Sequence, residues 1–274
     1  MTGRLAFARH ELRRVAQTPR TFANWPAVLA GLAQQQVGRG ADTLTFVTRD
    51  GLRIECPNRP GARVPIYEIF AEDCYRLPWF LADLDPKRVL DIGGHIGTFA
   101  NRMAQLYPHA TVESFEPSPV TAEFLRRNAA ANGFADRITV TQAAVAATSG
   151  SAVFDDNGAG SGLNGLAALG HASGTATTVP AVTFDEIVAA GAHSVDVVKI
   201  DCEGGEYDLV HGSEPASWDA VARVVIEHHP VPGRSWPELR AWFAERGLRV
   251  QDEVTQDGYG CAWLSRTPLP SPAR

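Results

Sequence analysis

No apolar run in this 274-residue chain approaches the ~20 residues that a bilayer-crossing helix needs, so a membrane-embedded protein is not expected. Basic runs are missing too. With 25 Lys and Arg against 31 Asp and Glu the net charge is −6, which leaves no electrostatic footprint for nucleic acid or an anionic membrane. Cysteine is scarce. Cys56, Cys74, Cys202 and Cys261 form no C-x-x-C pattern, so neither a zinc ribbon nor dithiol redox chemistry is indicated. They read as free thiols of a reducing compartment. The first residues hold no apolar signal core, and the cytoplasm is the expected location. What remains is an ordinary globular composition, 45% hydrophobic and 20% charged. It is enough for one α/β domain with additions.

One further absence is informative. The dinucleotide fingerprint G-x-G-x-x-G does not occur where a glycine-rich turn does. In VLDIGGHIGTFANRMA (Val89 to Ala104) a short apolar strand runs into Asp91, followed by Gly93, Gly94 and Gly97 and then a helical pattern. Glycines let the backbone turn tightly or approach a ligand, and the helix start behind them offers free N–H groups. A second apolar strand, Val112 to Phe115, ends in Glu116, at the distance where a carboxylate meets ribose hydroxyls. Asp91, two residues before the first glycine, would repel a pyrophosphate but not a cofactor with a sulfonium and an ammonium group. S-adenosylmethionine is therefore expected rather than NAD.

The rest of the chain supports this frame. Residues 1–20 read as an amphipathic helix, a lid or dimer element. Residues 44–55 read as a hairpin turning at Asp50–Gly51. From Arg88 onward strands and helices alternate: strands Arg88–Asp91, Thr111–Phe115, Ile138–Gln142, Val195–Ile200 and Ala222–Ile226, then Leu248–Glu253 and Tyr259–Leu264. Repeated βα units imply a mostly parallel, doubly wound sheet with helices on both faces. Asp91, Glu116, Gln142, Asp201 and Glu227 fall at strand carboxyl ends, where such sheets bind ligands. Residues 143–194 are too long for a simple connection. Ser151–Phe154 and Thr177–Thr183 are expected to pair, with the Gly- and Ser-rich stretch 155–174, including His171, as a mobile flap. The expected division is an N-terminal helical and hairpin extension (1–84), a catalytic domain (85–266) and a disordered tail (267–274).

Four segments in order, VLDIGGHIGTFA, SFEPSP, VKIDCEGGEYDLVHGS and VVIEHHP, resemble the FkbM family of S-adenosylmethionine-dependent methyltransferases. The K-I-D-x-E-G-x-E segment is the most specific of them. VPIYEIFAEDCYRL is similar to the family's helix before the domain, with Glu68 and Tyr75 at matching positions. The resemblance implies a class I methyltransferase Rossmann-like fold of seven strands, the last antiparallel. It implies O-methylation of a hydroxyl on a natural product, sugar or glycan. By the same resemblance Asp91, Gly93, Gly94 and Gly97 form the cofactor turn. Glu116 with Pro117 binds ribose, Gln142 and Ala143 lie near adenine, and Glu68 and Asp201 border the cofactor. Glu227 and His229 match the E-x-H that follows the fifth strand. His228 departs from the pattern by doubling the histidine.

Methyl transfer needs an oriented oxygen, exclusion of water and removal of one proton. Asp201, His228 and His229 are the candidate bases. His229 is favoured because imidazole titrates nearest neutrality, with Glu227 orienting it or binding substrate; a histidine that merely caps the strand end is the alternative. Glu203 and Glu206 suit the start of the following helix equally well. Asp201, Glu203, Glu227 and His229 could converge on a divalent ion, but no compact ligand motif supports one and no metal is expected. The expected partner is a small-molecule or glycosyl hydroxyl acceptor, with a homodimer through the N-terminal helices as an option. A noncatalytic cofactor-binding protein and an NAD-dependent oxidoreductase are the rival readings.

Overall fold

The computed structural model describes residues 13–156, 165–166, 175–191, 194–256 and 258–271. Its centre is a seven-stranded sheet of β3 (Arg88–Ile92), β4 (Thr111–Phe115), β5 (Ile138–Thr141), β10 (Val195–Ile200), β11 (Val221–His228), β12 (Arg249–Gln256) and β13 (Tyr259–Ser265). Their spatial order is β12-β13-β11-β10-β3-β4-β5. β13 alone runs opposite to the other six strands. The parallel crossovers bring the carboxyl ends of β3, β4, β10 and β11 to one rim of the sheet.

Strand parity assigns side chains to the two faces, because successive residues point to opposite sides. Leu90, Ile92, Val198, Ile200, Val224 and Ile226 pack on one face with Phe184, Trp218, Leu239 and Phe243. These come from α7 (Phe184–Ala190), α9 (Pro215–Asp219) and α10 (Trp236–Glu245). Val89, Val112, Val197 and Val225 pack on the other face with Phe99, Met103 and Leu125, from α5 (Thr98–Leu106) and α6 (Pro119–Ala131). Both faces are covered, so the central strands read as nearly unbroken apolar runs. Trp218 anchors the first face: it stacks on Phe184 at 4.2 Å, and its Nε1 donates to Ser213 Oγ at 2.7 Å.

The N-terminal elements divide between a small core of their own and the second face of the sheet, where Tyr75, Leu77 and Phe80 pack. They are α1 (residues 13–21), α2 (Trp25–Gln36), the hairpin of β1 (Thr43–Val47) and β2 (Arg53–Pro57), α3 (Pro60–Phe70) and α4 (Leu77–Phe80). The hairpin turns where the sequence signalled it, with Gly51 at φ +99. Phe22, Phe46, Ile54, Ile66 and Tyr67 pack on Ile96 and Phe124 of the central domain. Side-chain amides complete the joint. Asn128 Oδ1 accepts from Glu55 N and its Nδ2 donates to Glu55 O; Asn132 does the same with Arg53. One turn of helix thus stands in for a strand beside β2.

The long segment after β5 makes a second sheet, ordered β6-β9-β7-β8, from β6 (Ala144–Val145), β7 (Gly150–Asp156), β8 (Gly165–Leu166) and β9 (Thr175–Val182). β7 and β9 form the expected antiparallel pair. Residues 157–164 and 167–174, most of the expected flap and His171 with it, lie outside the described residues. Near the carboxyl terminus, Leu269 N donates to Gln251 Oε1 at 3.0 Å, and Pro270 O accepts from Trp79 Nε1 at 2.6 Å. That part of the expected tail is tied to the core. Between the last turn of β10 and β11 lies α8 (Glu206–His211). Among the described residues no helix is long and apolar enough to cross a membrane.

Candidate active site

A cavity of about 630 Å³ opens at the rim where the parallel strands end. Gly93, Gly94, Glu116, Pro117 and Ala143 line it, as do Asp201, Glu203, Glu227, Glu68, Tyr75, Arg14 and Phe154.

The turn after β3 is built by exclusion. Gly93 has φ +78, and a Cβ there would collide with the carbonyl oxygen of Asp201. Its N–H and that of Gly94 both donate to Phe115 O, at 3.0 and 2.9 Å, which ties the turn to β4. Gly97, at φ +84, starts α5 without lining the cavity. His95 N donates to Glu116 Oε2 at 2.9 Å and Ser118 N to Glu116 Oε1 at 2.8 Å. Each carboxylate oxygen is held by one backbone amide and keeps a lone pair. Burial pushes the Glu116 carboxyl up to about 7 despite the two amides. A fixed, cavity-lining carboxylate of this kind fits a ribose diol, and the surrounding positive-φ turn fits the close approach of an adenosyl cofactor.

Asp91 sits beneath this turn rather than in the cavity. It is fully buried, accepts from Ser114 Oγ at 2.8 Å and lies 3.4 Å from Lys199 Nζ. Lys199 also donates to Gly93 O at 2.6 Å and Ile92 O at 3.3 Å. Burial alone would push its ammonium down, but Asp201, Asp91 and Glu227 outweigh that and hold it above the usual lysine value. The sequence reading set Asp91 against the cofactor; its contacts here are with the turn's own supports. Gln142 is half-buried and does not line the cavity.

The reacting end is crowded with acids. Tyr75 O–H donates to Asp201 Oδ2 at 3.3 Å, and Arg14 reaches Glu68 at 3.8 Å. Burial, then the charge of Asp201, pushes Glu203 and Glu227 up to about 8; burial also raises Glu68, to about 7. His229 is buried behind them. Its Nδ1 is 2.9 Å from Glu206 Oε1 and its Nε2 is 3.4 Å from Glu203 Oε2. Burial opposes its charge, yet the Glu206 bond and the charges of Glu206, Asp201 and Glu203 hold the imidazole up at about 10. Asp201, Glu227 and His229 offer ligand atoms that all lie within 4.8 Å of one another.

His228 is elsewhere. β11 runs two residues further than its apolar pattern predicted, so Glu227 and His228 belong to the strand and point to opposite faces. The His228 ring stacks on Trp236 of α10, 4.5 Å apart and 5° from parallel. Lys199, Arg14 and Phe154 were not read from the sequence as site residues. Lys199 had a signal: it stands two residues before Asp201, which directly follows β10, and the two side chains meet at 3.6 Å.

Residues 91–250 match the methyltransferase FkbM domain. Over 234 residues the chain is 30% identical to the 31-O-demethyl-FK506 methyltransferase FkbM of Streptomyces tacrolimicus, covering 74% of this chain and 88% of that protein. It is 24% identical over 258 residues to methyltransferase sdnD of Sordaria araneosa, covering 79% and 92%. Among solved structures, a SAM-dependent methyltransferase from Agrobacterium tumefaciens aligns with a TM-score of 0.48 at 11% identity, covering 83% of this chain and 71% of that one.

Proposed function

This chain belongs to the FkbM family of S-adenosylmethionine-dependent methyltransferases, and from that premise we propose that it methylates a hydroxyl of an uncharged small molecule, a natural product or a sugar moiety. The observation that carries this reading is the acid wall of the cavity. Glu68, Asp201, Glu203 and Glu227 line its reacting end, while Lys199 is engaged with the turn and Arg14 reaches Glu68. Carboxyl groups, ionised or protonated, exchange hydrogen bonds with hydroxyls and offer no countercharge to a phosphate or carboxylate group. The Streptomyces tacrolimicus relative carries an oxygen methylation in its name, which favours a hydroxyl over an amine.

When bound, S-adenosylmethionine supplies a methyl group activated by a positively charged sulfur. The chain supplies the rest. Glu116 holds the ribose, and Gly93, Gly94 and His95 shape the turn against which the cofactor lies. Asp201 and Glu227 orient the acceptor hydroxyl, which is worth up to ~7–11 kcal/mol of the barrier when the geometry is right. Proton removal adds ~10²–10⁴-fold. Of the three bases considered from sequence, Asp201 alone lines the cavity. His229 is held charged by Glu206 and Glu203 and has no vacancy for a proton, and His228 stacks on Trp236. We therefore assign proton acceptance to Asp201, whose carboxylate Tyr75 steadies.

The test is transfer of isotope-labelled methyl to matched acceptors: macrocyclic alcohols and glycosides, their amine analogues and their phosphorylated forms. Methyl ethers from the neutral alcohols are expected, located by NMR. N-methyl products, or turnover of the phosphorylated forms alone, would overturn the assignment.

A further inference from the structure

We infer that Asp201, Glu227 and His229 form a binding site for a divalent cation of the Mg²⁺ or Mn²⁺ class at the reacting end of the cavity. The three residues come from the ends of two neighbouring, hydrogen-bonded strands, so their backbones are fixed relative to each other. Their ligand atoms lie within 4.8 Å of one another. Around a six-coordinate ion with ~2.1 Å bonds, ligands stand ~3.0 Å apart when adjacent and ~4.2 Å apart when opposite. Small side-chain rotations close the difference. Two carboxylates and an imidazole, with no thiolate, suit this cation class.

A cluster of acids can arise simply to face a sulfonium. The imidazole is the observation that such a purpose leaves unexplained. His229 is only 8% exposed. Its Nδ1 is bonded to Glu206 Oε1, and the same oxygen accepts from Cys202 N and Gly204 N, at 3.1 Å each. Glu206 is fully buried and so cannot swing away. This bond fixes the ring and keeps the Nδ1 proton in place, while Nε2 pairs with the carboxylate of Glu203 at 3.4 Å, the contact that a bound cation would displace. A buried carboxylate that orients a histidine through one nitrogen and frees the other is the recurring support of metal-ligating histidines. The cation would occupy Nε2 in place of a proton. Open coordination positions would face the cavity, where vicinal oxygens of an acceptor could complete the shell.

Cation binding and proton removal share Asp201, so the test reads binding without turnover. The full chain is stripped with a chelator, and Mn²⁺ alone is titrated with detection by electron paramagnetic resonance and calorimetry. One saturable Mn²⁺ per chain, displaced by Mg²⁺, is expected. Glu227→Gln and His229→Gln should each weaken it by at least tenfold. Glu206→Gln, acting through His229, should weaken it ~10–100-fold. Asp219→Asn, on the exposed surface far along α9, should leave it unchanged. S-adenosylhomocysteine affinity serves as the control for folding in every variant, since Glu116 and the glycine turn are untouched. No saturable Mn²⁺, or binding undiminished in folded Glu227→Gln and His229→Gln proteins, would overturn the site. Failure of hydroxyl methylation with intact Mn²⁺ binding would reject the proposed reaction and leave the cation site standing.

Discussion

Lys199 Nζ lies 3.4 Å from Asp91 Oδ1, with both side chains out of water beneath the glycine turn. The pair joins adjacent strands, β10 and β3, and Lys199 also bonds the backbone of Ile92 and Gly93. It therefore couples the shape of the cofactor turn to the strand that ends in Asp201. Removing Lys199 leaves Asp91 as an uncompensated buried charge, whereas Lys199 without Asp91 still faces Asp201 at 3.6 Å.

Lys199→Met should accordingly cost ~3–5 kcal/mol of stability, the range for breaking a buried pair. The double variant Lys199→Met, Asp91→Asn should recover part of that loss. Denaturant titration of the wild type, both single variants and the double variant closes the cycle. Additive losses, with no recovery, would show that the two side chains do not depend on each other. Asp91→Ala should lower both stability and cofactor affinity, through collapse of the turn's support.

Glu116 predicts a trade between stability and binding. Burial raises its carboxyl to about 7, above the unfolded glutamate value of ~4.3. Between those values the folded chain binds more protons than the unfolded one, so this group's contribution to stability falls as pH rises from ~4.5 to about 7. Glu116→Gln should therefore melt higher than wild type at pH 8, with the gap narrowing toward pH 5. Ribose hydroxyls donate to the ionised form, so S-adenosylhomocysteine should bind the wild type more weakly below pH 7. Glu116→Gln should lose at least tenfold in affinity at pH 8 and most of that pH dependence. Scanning melts and calorimetry across pH 5–8.5 read both. An unchanged affinity in the variant would remove Glu116 from the cofactor site.

The doubled histidine can be separated by substitution. His228 stacks on Trp236 on the α10 side of the sheet, so His228→Phe should keep the ring contact and retain methyl transfer within about twofold. His228→Ala should cost more than the ~0.5–1.5 kcal/mol that an aromatic pair adds beyond its area burial, because the ring is buried, and still turn over. A hundredfold loss of rate in a stably folded His228→Phe protein would return this residue to the list of bases.

Much of this arrangement was legible as periodicity. Val195–Ile200 and Glu206–His211 stand where the pattern put them, because a buried parallel strand and a short helix start leave strong local signals. The strand-end rule gathered Glu116, Asp201 and Glu227 for the same reason. Parity could even have settled His228: Val225 and Glu227 share one face of β11, Ile226 and His228 the other. The pattern lost β11's last two residues because charged and aromatic side chains there break the apolar run. The pairing of Asp91 with Lys199 was not legible for a different reason. The two stand 108 residues apart, and only the order β10-β3 brings them together. Phe154 enters the cavity from an insertion whose pairing was readable but whose placement over the rim was not.

Asn128 supports the cavity from outside it. Its side chain is 1% exposed, exchanges two hydrogen bonds with the backbone of Glu55 and donates a third to Ile96 O at 2.8 Å. Through β2 it fixes the start of α3, where Pro60, Gly61 and Val64 form part of the cavity wall. Asn128→Ala would strand several buried backbone groups, each worth ~1–3 kcal/mol when unsatisfied, and would leave the central sheet untouched. The expected result is a protein in which the N-terminal elements loosen while the sheet persists: faster proteolysis confined to residues before β3, and weaker binding of acceptor. Asn128→Asp should fall between the two, because it keeps the acceptor for Glu55 N and loses the donors. Limited proteolysis with mass mapping reads the outcome directly. A uniform, global loss of protection would mean that the N-terminal elements and the sheet unfold as one unit, and that the amide ladder is a joint within a single cooperative domain.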